Sequence, residues 1–107
     1  MKINKDWCGT VAALSDVFHR DGRFEKVYFM HGEEQGGFPA FYELVADAAI
    51  ALERIARENR VSWGETHDWL ASVDVMSQHL YDMLLSGRWP DEQGLIQLAE
   101  ESMVEED

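Results

Sequence analysis

Four histidines, one cysteine and a surplus of carboxylates are the residues of this 107-residue chain that could do chemistry. A zinc or other transition-metal site needs three or four ligands at spacings a fold can converge. His19, His31, His67 and His79 contain no pair four residues apart, and no His-Glu-x-x-His pattern occurs. His79 and Asp82, three apart, offer one ligand pair at most. His31 stands beside Glu33 and Glu34 in a glycine-rich stretch, Gly32 to Gly37, that reads as a mobile loop too loose to preorganise ligands. Cys8 and His19 are three helical turns apart, so a thiolate–imidazole pair is not positioned. The carboxylates fall on solvent-facing positions, without the burial that tunes an acid–base pair. The sequence therefore predicts a protein that is not an enzyme, with no catalytic residues, no metal and no cofactor.

Charge is what remains, and it is unevenly distributed. Residues 61–107 hold 11 acids and a single base, Arg88, whereas residues 1–60 hold 10 acids and 8 bases. The net charge of −12 thus comes almost entirely from the second half. Such a field repels nucleic acid and anionic membranes and attracts basic protein surfaces. No direct nucleic-acid contact and no membrane contact are expected. The longest apolar stretch, Ala48 to Leu52, is far short of a membrane span. No apolar run follows Lys2 and Lys5 as a secretion signal would require. The lone Cys8 fits a reducing compartment, so the expected location is the cytoplasm.

The candidate contact residues follow from that charge. Glu65, Asp68, Ser72, His79, Asp82 and Ser86 are expected roughly opposite the leucine stripe of one helix, and Asp91, Glu92, Glu100 and Glu101 add to them from the next. A solvated face that keeps the protein soluble is the plain alternative. Against it stand the self-repulsion of crowded acids and the lack of interspersed lysines. Trp63 and Trp89 lie at helix ends beside glycine or proline, where full burial is hard, and either would serve as an aromatic anchor. The predicted partner-binding set is therefore Glu65, Asp68, Asp82, Asp91, Glu92, Glu100 and Glu101, with Trp63 or Trp89. Phe38-Pro39 is a further contact point, or else the staple that fixes a helix entry.

Helices must position these residues. Trp7, Val11, Leu14 and Phe18 recur at steps of four and three, predicting a first helix from about Lys5 to Arg20. Asn4 or Asp6 can cap its start, and Asp21-Gly22 ends it. Arg23 to His31 is ambiguous between strand and helix; helix is preferred because a lone strand has no partner. Pro39 suits the first turn of a long helix whose stripe is Phe41, Val45, Ala48, Leu52, Ile55 and Asn59. Within it Glu53–Arg57 and Arg54–Glu58 are i,i+4 pairs, so residues 38–60 read as scaffold. Ser62 with Glu65 is a capping-box pattern that predicts a third long helix starting there, with Leu70, Val73, Leu80 and Leu84 as its core stripe. Gly87 ends it. Pro90-Asp91-Glu92 opens a last helix with Leu95, Leu98 and Val104 inward, and Glu105 to Asp107 as a frayed acidic tail. The expected fold is all-α: one domain over residues 1–107, a bundle of four to five helices with short connections and antiparallel neighbours.

In size, acidity and its ending, Glu100-Glu101 to Glu105-Glu106-Asp107, the chain resembles small inhibitors encoded by phages and mobile elements: anti-CRISPR proteins and DNA-mimic anti-restriction proteins. Bacterial immunity proteins that neutralise basic nuclease toxins share the character. The resemblance is one of composition over the whole chain and carries no functional residue across. It implies stoichiometric inhibition of a basic, nucleic-acid-binding partner through an acidic face. A self-associating helical module, a homodimer built on the four-three repeat and the alanine-rich second helix, is the alternative expectation.

Overall fold

The computed structural model describes residues 5–27 and 37–105. Among these the secondary structure is helical: α1 (Lys5–His19), a single 3-10 turn (Arg20–Gly22), α2 (Arg23–Val27), α3 (Phe38–Glu58), α4 (Trp69–Leu85) and α5 (Glu92–Ser102). The all-α bundle read from the periodicity is the architecture found. Helical structure extends through Val27 of the ambiguous stretch, while Tyr28 to His31 and the glycine loop up to Gly36 lie outside the described residues.

The long helices form a ring. α1 packs against α3 and α4, and α5 packs against the same two from the other side. The consecutive helices α3 and α4 touch only slightly, so they sit across the ring from one another. The expectation that sequential helices are neighbours therefore fails for this pair. Their connection, residues 59–68, is long enough to carry the chain across the end of the bundle.

The core repeats the predicted stripes. Leu14 and Phe18 of α1, Phe41, Val45, Ala48, Leu52 and Ile55 of α3, and Val73, Leu80 and Leu84 of α4 are buried. Leu95 and Leu98 of α5 close it. Removing a large apolar side chain from such a site costs about 2–5 kcal/mol. An aromatic seam runs along one edge. Phe24 meets Phe41 edge-on at 5.3 Å between ring centroids, and Phe41 meets Trp89 in the same way at 5.3 Å.

Helix ends are where the structure departs from the sequence expectation. α4 begins at Trp69, with Asp68 as its cap accepting the Ala71 amide at 3.1 Å. The Ser62–Glu65 pattern does not start a helix; Ser62 accepts the Glu65 and Thr66 amides in a turn that precedes α4. Trp69 faces inward, donating its indole N–H to Thr10 of α1, so Leu70, about 100° further round the helix, faces outward. It is 63% exposed instead of filling the core. Ser72 and Ser77, which a polarity pattern puts outside, are fully buried.

The segment after α5 is not frayed where it is described. The Asp68 amide donates to the Val104 carbonyl, and the Val104 amide donates to Ser72 Oγ, both at 2.9 Å. His67 and Glu105 form an isolated antiparallel bridge. Residues 106–107 lie outside the described residues.

An acid-rimmed groove between two helices

α3 presents two faces at once. Phe41, Val45, Ala48 and Leu52 point to the core. Ala40, Leu44 and Ala51 widen the apolar arc to one side, and Glu43, Asp47 and Arg54 lie along its outer edge. The α5 side supplies Trp89, Pro90 and Leu95 as apolar wall and Asp91 and Glu92 as rim. Between the outer edge of α3 and the α5 side runs an open groove of about 510 Å³, lined by these residues other than the four that point to the core, with Ile50 and Ile96. Pro90 and Leu95 are buried, Trp89 and Ile96 half-buried, and Ile50 is exposed. The floor is apolar and both walls carry carboxylates.

Local sequence places each rim acid. Asp91 caps α5, accepting the Gly94 amide at 2.8 Å. Gly94 suits that turn because a β-carbon there would lie 3.3 Å from the Asp91 carboxylate. Glu92 follows in the first turn of α5, where the helix dipole favours an acid. Glu43 and Asp47 stand one turn apart on α3, both exposed and without an ion pair among the described residues. The groove's one base, Arg54, lies 3.1 Å from Glu58 and 3.6 Å from Glu92. These exposed pairs add little stability, about 0–1 kcal/mol each. Their effect is to engage the single cation with Glu58 on its own helix and with Glu92 across the groove, while the groove's lining stays net negative.

The predicted contact residues separate into four places. Trp89, Asp91 and Glu92 line the groove. Glu100 borders a shallow depression that adjoins it through Asp91 and Ile96, and Glu101 lies one residue on, near Gln97 at 3.5 Å. Asp82 is on the exposed side of α4, accepting from Gln78 at 2.9 Å. Trp63, Glu65 and Asp68 belong to the turn before α4. There Trp63 is half-buried, edge-on to His67 at 6.2 Å between ring centroids, and Asp68 is committed to its cap. Two more expectations change. Ser72 lies in the core and cannot join an acidic face. Asp74, left out of the sequence set, is exposed on α4, 3.9 Å from Arg20.

Glu43 and Asp47 are the residues the sequence reading missed, having assigned residues 38–60 to scaffold. A signal was present. Leu44 and Ala51, seven apart and offset from the core stripe, mark an apolar arc wider than one neighbour needs, and both acids border it. The pairing of Glu53 with Arg57 is likewise not formed. Glu53 is 5% exposed and faces α1, where Thr10 donates its hydroxyl to it.

Among the described residues no three of His, Cys, Asp and Glu gather as a metal site would require. No described helix is long and apolar enough to cross a membrane. No protein family, curated protein or solved structure matches the chain.

Proposed function

We propose that this protein is a non-enzymatic inhibitor that works by binding a basic protein surface, one that otherwise engages nucleic acid, in the manner of the small acidic inhibitors its composition resembles. The observation that supports this reading is the gathering of Glu43, Asp47, Asp91 and Glu92 around an apolar floor. Carboxylates scattered for solubility need no concave apolar centre. A binding surface does, because a desolvated core gives affinity and a charged rim gives register and a fast encounter. The net charge of −12 lends long-range attraction to such a partner. The sole cysteine, Cys8, fits a cytoplasmic role.

Affinity capture tests the proposal. The tagged protein, in bacterial lysate at low salt, should retain a small set of basic, nucleic-acid-binding proteins. High salt and added duplex DNA should each release them. Capture that is indifferent to both salt and DNA competition would count against the reading, as would equal capture by a variant with Asp91 and Glu92 changed to lysine.

A further inference from the structure

The groove also specifies the shape of what fills it. Its α3 wall is a single stripe: residues 40, 44, 47, 51 and 54 recur at steps of four and three over 15 residues, with Glu43 and Ile50 beside them. At 1.5 Å per residue that wall extends about 21 Å, the length of roughly four turns of helix. Its polar and apolar members alternate along it: Ala40 and Leu44 interleave with Glu43 and Asp47. Across from them Trp89 and Leu95 flank Asp91 and Glu92.

We propose that this groove docks an amphipathic, lysine- or arginine-bearing α-helix of a partner protein, and this rests on the binding function proposed above. Helix-in-groove recognition uses apolar anchors at i, i+3 or i+4 and i+7, and the elongated apolar floor offers positions of that kind. Basic residues flanking the anchors meet Glu43 and Asp47 on one wall and Asp91 and Glu92 on the other. The charge balance selects this occupant. Four acids and one already paired base line the groove, so nucleic acid and anionic lipid are repelled from it. A second copy would bring another −12 of net charge to the same contact. An uncharged apolar helix would leave Glu43 and Asp47, which have no ion pair among the described residues, facing a low-dielectric seam, which is costly.

The experiment uses the full chain and a designed probe: a 14-residue helical peptide with leucines at i, i+3 and i+7 and lysines beside them. A scrambled peptide of identical composition is the comparison. In amide-resolved NMR titration the helical peptide should shift Glu43, Asp47 and Ile50 together with the Trp89 indole. It should bind about tenfold more tightly than the scrambled peptide. E43K/D47K should weaken it at least about tenfold, and both changes are at exposed positions that leave the core intact. E100K/E101K, outside the groove, should change it much less.

Equal binding of the two peptides would overturn the inference, as would equal loss in E43K/D47K and E100K/E101K. Either result means diffuse charge attraction, and the proposed inhibitory function would survive it. Salt-sensitive self-association that E43K/D47K abolishes would overturn it in favour of a second copy. Failure of the lysate capture above, with the peptide results as expected, would retire the inhibitory function while leaving the groove's preference standing.

Discussion

Thr10 on α1 donates its hydroxyl to the carboxylate of Glu53 on α3, and both side chains are buried. The same hydroxyl accepts the indole N–H of Trp69 at 3.0 Å, so one small side chain joins α1, α3 and α4. Such a link is directional where the surrounding apolar contacts are not. It ties the two helices that sit across the ring, α3 and α4, through the one that lies between them.

Replacing Thr10 by valine keeps the shape and deletes the link. The carboxylate and the indole N–H are then both left without their partner inside the protein. The expected loss is about 1–3 kcal/mol in urea unfolding, with an unchanged dependence on denaturant. Thr10→Ser keeps the hydroxyl and removes one methyl group, so it should cost less than Thr10→Val. Little loss in Thr10→Val beside a larger one in Thr10→Ser would show that packing, and not the hydrogen bonds, holds this junction.

The end of α3 offers a gain. Arg60 has φ 54°, in the left-handed region that glycine occupies without strain. The Val61 amide donates to Ala56 and the Arg60 amide to Arg57, the two bonds of a Schellman cap. Arg60→Gly should therefore stabilise by about 1 kcal/mol, a rise in Tm of roughly 4 °C. The end of α4 has the same geometry with glycine already in place at Gly87, φ 86°. Gly87→Ala should cost about 1 kcal/mol for the same reason. Opposite signs for the two substitutions in thermal unfolding are the check.

The stripes of α1, α3 and α4 were legible because buried positions on a helix must recur at three and four, whatever the tertiary arrangement. The groove was not. Its two walls come from residues 40–54 and 89–96, and only the packing of α5 on α3 brings Glu43 and Asp47 to the same opening as Asp91 and Glu92. The start of α4 misled for a different reason. Ser62 and Asp68 are both good cap residues, but only Ser62 has the glutamate three positions on that completes a capping box, so local sequence favours the wrong one. The choice between them is tertiary: Asp68 as cap lets Trp69 reach Thr10 and lets the Asp68 amide bond Val104. Glu53 shows the same limit, since an i,i+4 match with Arg57 cannot reveal that a threonine 43 residues earlier takes the carboxylate instead.

Asp68 and Asp91 each combine a negative charge with a cap, and the two roles can be separated. Asparagine caps as well as aspartate but carries no charge. Asp68→Asn and Asp91→Asn should leave stability within about 0.5 kcal/mol, whereas the alanine variants should each lose about 1 kcal/mol. Only Asp91 lines the groove. Asp91→Asn should therefore weaken capture of a basic partner while Asp68→Asn leaves it nearly unchanged. Chemical denaturation beside the capture assay reads both effects, and parallel behaviour of the two asparagine variants in capture would remove Asp91 from the contact surface.

Val104 is held to the start of α4 by its two backbone groups, and a third contact, the pair between His67 and Glu105, lies beside them. The Val104 amide donates to Ser72 Oγ, and its carbonyl accepts from the Asp68 amide. The His67 Nε2–Glu105 approach is 4.0 Å, with the glutamate side chain 81% exposed. Solvent screening leaves such a pair with little energy, while a half-buried amide stripped of its acceptor loses about 1–3 kcal/mol. The hydrogen bonds should therefore hold this segment and the ion pair should not. Ser72→Ala is expected to speed hydrogen exchange at Val104 by about tenfold while the amides of α3 slow or speed only with global stability. Glu105→Gln should leave Val104 protected. Exchange at Val104 that rose equally in both variants would mean that charge, and not the Ser72 hydroxyl, fastens the chain after α5 to the turn that carries Trp63 and Asp68.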